Sequence, residues 1–62
     1  MNKEEAVNLM AESMNSDTRK MCEQANMTNE ECERIIQQNQ QSVEYMLSNV
    51  YDIMKEANLL NS

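Results

Sequence analysis

Residues 28–60 read TNEECERIIQQNQQSVEYMLSNVYDIMKEANLL. Within them Cys32, Ile36, Asn39, Val43, Met46, Val50, Ile53, Ala57 and Leu60 follow one another at alternating spacings of 4 and 3. That alternation is the a/d rhythm of a helix that packs along its length against other helices. The chain contains no Gly and no Pro to interrupt it. The stretch begins with Thr28-Asn29-Glu30-Glu31, a capping box in which the Thr28 hydroxyl accepts from the Glu31 amide and the Glu31 carboxylate reaches back to the Thr28 amide. Glu30, Glu31 and Glu33 also suit the positive end of the helix dipole.

Working backwards, Asn26 tolerates the left-handed backbone that ends helices. A first helix is therefore expected over residues 3–25, a turn over 26–28, and a second helix over 29–60. The first helix has its own seam of Val7, Ala11, Met14, Thr18, Met21 and Ala25, smaller residues than those facing them. Asn15-Ser16-Asp17 are poor helix formers and good N-caps, so a kink or break is weighed there against a continuous helix. So short a connection favours an antiparallel pair. The expected fold is all-α: one helical-hairpin domain spanning residues 1–62.

Sixty-two residues bury little on their own. Reflecting the chain about residue 27 places Val7 opposite Leu47 and leaves Ile53, Met54, Ala57, Leu59 and Leu60 beyond the start of helix one. An uncovered apolar strip signals an interface. The hairpin is expected to oligomerise into a helical bundle through Val43, Met46, Val50, Ile53, Ala57 and Leu60. The same reflection sets Gln37–Ser42 against Ser13–Asp17 as a polar waist, with Asn39, Gln40 and Asp17 as its candidates. Asn39 on the seam is read as a register-fixing polar residue, with a small polar ligand as the alternative.

The net charge is −6. No basic stripe is present, which argues against direct nucleic-acid binding. No apolar run approaches a membrane span and the first residues lack a secretory pattern, so a cytoplasmic protein is expected, in the host cytoplasm if a phage encodes it. The Asn-rich composition, empty of Gly, Pro and Trp, points to an AT-rich genome such as that of a phage or low-GC bacterium.

Chemistry-bearing patterns are sparse. There is no His, no phosphate-binding Gly loop and no second Cys pair, so neither catalysis nor a metal or cofactor is expected. Cys22 and Cys32 flank the turn. A bridge between them demands that the helices pinch to a Cα separation of about 4.4–6.8 Å; buried free thiols are the expectation. What remains is association. The functional expectation is a small acidic protein that binds and inhibits or adapts another protein, with Met10, Leu47, Met54 and Leu59 as contact candidates. The alternatives are an assembly module whose oligomerisation is its function, and a protein that sequesters a nucleotide-like ligand.

Overall fold

The computed structural model describes residues 1–60. It contains two helices, α1 (Lys3–Gln24) and α2 (Asn29–Glu56), packed against each other as an antiparallel hairpin about 41 Å long. No helix among the described residues is long and apolar enough to cross a membrane.

Local chemistry explains each boundary. The Asn2 side chain caps α1 by accepting from the Glu5 amide at 2.8 Å. Thr28 caps α2, and both halves of the capping box are formed: Glu31 N–H to Thr28 Oγ1 at 3.1 Å, and Thr28 N–H to Glu31 Oε1 at 2.9 Å. These bonds satisfy amides that the first helical turn leaves without partners. Thr28→Ala is expected to cost about 1 kcal/mol, read as a lower urea midpoint in circular dichroism; an unchanged midpoint counts against the cap.

The Glu31 carboxyl is held below its ordinary pKa, chiefly because it accepts the Thr28 backbone N–H. A lowered carboxylate pKa stabilises the fold above the unfolded value and loses that contribution as pH falls through the folded one. The melting-temperature gap between the native chain and Glu31→Ala is therefore expected to be constant near neutrality and to close below about pH 4. A gap that persists in acid would assign the loss to something other than this carboxylate.

α1 is continuous through Asn15–Asp17, with no break. Thr18 satisfies its hydroxyl inside the helix by donating to the Met14 carbonyl at 2.9 Å. Both helices end alike. Asn26 (φ 58°) and Asn58 (φ 59°) take the left-handed conformation. Met27 N–H bonds to Cys22 O and Asn26 N–H to Glu23 O; Leu59 N–H bonds to Met54 O and Asn58 N–H to Lys55 O. Each set is a Schellman motif. It follows the same tripeptide pattern both times, Ala25-Asn26-Met27 and Ala57-Asn58-Leu59. α2 thus stops at Glu56 rather than at residue 60 as expected, because Asn58 turns the chain as Asn26 does.

The register agrees with a fold about residue 27. Lys3 Nζ lies 2.9 Å from Asp52, Arg19 Nε lies 2.8 Å from Glu33, and Cys22 is disulfide-bonded to Cys32 with Cα atoms 6.0 Å apart. The expectation of free thiols is corrected here. The helices pinch beside the turn, where a connection of four residues holds their ends together.

The seam between the helices does not keep the heptad. On α1, Val7, Ala11, Asn15, Thr18 and Cys22 are buried or half-buried. On α2, so are Cys32, Ile36, Val43, Leu47, Tyr51 and Met54. Both sets step 4, 4, 3 (Gln40, exposed, fills the missing step on α2), an eleven-residue repeat of 3.67 residues per turn. That period lies close to the 3.6 of a straight helix, so two nearly straight helices stay in touch without a left-handed supercoil. Only Val7, Cys22 and Cys32 are buried among the described residues.

Candidate functional site

The change of period divides the surface into two unlike faces. An α-helix advances about 100° per residue. Relative to the seam, Met14 and Met21 on α1 and Ile35, Met46, Val50 and Ile53 on α2 then fall on the same side of the hairpin. All six are exposed, from 36% for Ile35 to 68% for Met21. Half-buried Met10 stands at the edge of this face. From Ile35 to Ile53 the α2 residues on it, Ile35, Asn39, Ser42, Met46, Asn49, Val50 and Ile53, carry no charge.

The opposite side is polar. A shallow groove of about 240 Å³ is lined by Asn8, Ala11, Glu12, Asn15, Gln40, Val43 and Glu44. Gln40 Nε2 donates to Glu44 Oε1 at 3.3 Å. Glu12 and Glu44, which the sequence places together only if the register falls correctly, share this groove. Toward the turn, the Arg19 guanidinium donates through Nε and Nη2 to the two oxygens of Glu33. This pairing lowers the Glu33 pKa and raises that of Arg19. Arg19 is thereby occupied by a carboxylate.

The residues singled out from sequence are dispersed over these surfaces. Met46, Val50 and Ile53 lie exposed on the apolar face. Ala57, also exposed, caps α2, and Leu60 is half-buried beyond the helix. Val43 is half-buried and borders the polar groove. Leu47 and Met54 sit half-buried on the intrachain seam, while Leu59 is exposed just past the end of α2. The polar-waist residues do not converge. Gln40 enters the groove, Asp17 is exposed, and Asn39 is exposed with its amide donating to the Ile35 carbonyl at 2.8 Å.

Three residues of the apolar face, Ile35, Met14 and Met21, were not singled out as surface positions by the heptad reading. The signal that would have found them is the period. Counting by eleven from Val7 and Cys32 moves Met14 and Met21 off the seam and leaves Ile35 to the exposed side. No protein-family model, curated protein or solved structure matches the chain.

Proposed function

We propose that the chain is a small acidic, non-enzymatic interaction protein that binds another protein stoichiometrically and inhibits or adapts it. The observation that carries this reading is the disproportion between core and exposed apolar surface: among the described residues, three buried ones against six exposed apolar ones on one face. A surface of that kind is an association surface, and Met supplies much of it with side chains that adapt to unlike partners.

The end of the hairpin suits a heterologous partner. Asp52 lies beside Lys3 at the start of α1, so Ile53 and Leu59, both exposed, reach past that start. Glu4 and Glu5 in the first turn of α1 and Glu56, the last residue of α2, put carboxylates at the same end of the hairpin, beside Lys3 and Lys55. Apolar residues beside a net acidic end match a basic partner with an apolar centre, the charges raising the association rate and the apolar contact setting affinity. The test is capture from host lysate against an equally acidic control, followed by binding kinetics on the purified partner. Added salt should slow association more than it speeds dissociation, and Leu59→Ala should weaken binding. No enrichment over the control, or salt-independent association, overturns the reading.

The uncharged line on α2 favours a second reading, in which assembly itself is the function. It becomes the better account if capture finds no partner.

A further inference from the structure

We propose that a second copy of this chain covers the apolar face, the two hairpins stacking about a two-fold axis at the level of Glu44 and Met10. The second copy takes the same apolar face on which the proposed function rests, so a heterologous partner of the dimer is left the end of the hairpin around Leu59.

Area comes first. A compact protein of 7.2 kDa exposes about 4,100 Å² by the surface–mass relation. This chain exposes 5192 Å². The excess, about 1,100 Å², exceeds the roughly 800 Å² that each partner contributes to a standard stable interface.

The pattern of residues then selects the occupant. A two-fold interface must be self-complementary, each residue meeting the image of another on the same patch. Ile35, Asn39, Ser42, Met46, Asn49 and Ile53 are spaced 4, 3, 4, 3, 4, a series that reads the same in both directions about residue 44. An antiparallel copy centred there sets Ile35 against Ile53, Asn39 against Asn49, and Ser42 against Met46. Apolar ends meet apolar ends, and amides meet amides that can hydrogen-bond. The 3.5-residue period that the intrachain seam does not use is the period of a left-handed seam between helices.

α1 agrees with the same axis. The fold about residue 27 puts residue 44 beside Met10, and Ala6 and Met14 lie four residues to either side of it. About that axis Met10 meets its own image, and Met14 meets Ala6. Every neighbouring helix pair in the resulting four-helix bundle is antiparallel. The acids of the polar groove, Glu12 and Glu44, stay on the outer surface, so doubling the net charge buries none of them. Asp17, exposed on α1, is turned only about 20° from Met10 and is the counterpart of Lys3 about the same axis, so the one acid on this side of α1 faces a cation.

Sedimentation equilibrium of the oxidised full chain tests the proposal, with helicity followed in parallel. The expected mass is that of two chains at micromolar concentration. Ile53→Asp should weaken association by roughly 100-fold or more, because it would bury an unpaired carboxylate. Tyr45→Asp, on the outer side of α2 and 71% exposed, should leave the two-chain mass intact. Asn39→Asp should also weaken association, and adding Asn49→Lys to it should restore the two-chain mass by pairing opposite charges across the axis. Should Ile53→Asp lose its helicity, the Asn39 and Asn49 pair decides instead, since both positions are exposed in the single chain. A one-chain mass for the native protein, a four-chain mass, or no rescue by Asn49→Lys overturns the proposal. A one-chain mass together with a captured partner would remove this inference and leave the proposed function standing.

Discussion

Replacing both cysteines, Cys22→Ser together with Cys32→Ser, is expected to lower the unfolding free energy by about 3 kcal/mol, the chain-entropy value for a closed loop of this size. The bridge spans ten positions in sequence and holds the two Cα atoms 6.0 Å apart beside the turn. Its weight is large here because the rest of the core is small. Among the described residues, two of the three buried ones are the cysteines themselves, and the third, Val7, lies toward the other end of the hairpin. Total stability is only about 0.05–0.15 kcal/mol per residue, so in a chain this short the one link is a substantial share. The measurement is a urea titration of the oxidised chain, the double Ser variant, and the native chain under reductant. The last two should coincide at a lower midpoint. If all three coincide, the bridge does not support the fold.

Val7→Asp is expected to cost about 3–5 kcal/mol, the usual range for a buried charge left without a partner. Val7 is 8% exposed at the open end of the seam, where the disulfide is too far away to hold the helices together. The Lys3–Asp52 ion pair lies at the same end, but its side chains are about half exposed, 44% and 57%, and an exposed pair contributes little. Leu9→Asp is the control. Leu9 sits two residues on, about 200° around the helix, and is 52% exposed; its replacement should stay within about 0.5 kcal/mol of the native chain. Equal losses from Val7→Asp and Leu9→Asp would mean that the seam described here does not hold the helices together.

Those two variants separate what could be read early from what could not. The heptad and the eleven-residue repeat share Val7, Ala11 and Thr18 on α1 and Cys32, Ile36 and Val43 on α2, so both periods place these six on the seam. They part company at Met14 against Asn15, where hydropathy favours the exposed residue, at Asn39 against Gln40, at Val50 against Tyr51, and in three apolar pairs, Met21 against Cys22, Met46 against Leu47 and Ile53 against Met54. In those last three, apolar residues stand at both positions, and hydropathy cannot choose between them. The end of α2 was different. The signal was present in Ala57-Asn58-Leu59, the counterpart of the tripeptide that closes α1, but the continuing apolar rhythm of Ala57 and Leu60 masked it.

By itself the sequence determined the two helices, the turn between them and the antiparallel register, because these rest on interactions over three or four residues. The Thr28–Glu31 capping box, the left-handed Asn26 and the absence of Gly and Pro act locally and act the same in any surroundings. Only the tertiary structure decided the pairing of Cys22 with Cys32 and the division of the apolar residues between the inner seam and the outer face. Both depend on the distance and relative rotation of two helix axes. A rotation of one residue step, about 100°, exchanges a buried Cys22 for an exposed Met21, and no local rule sets that rotation.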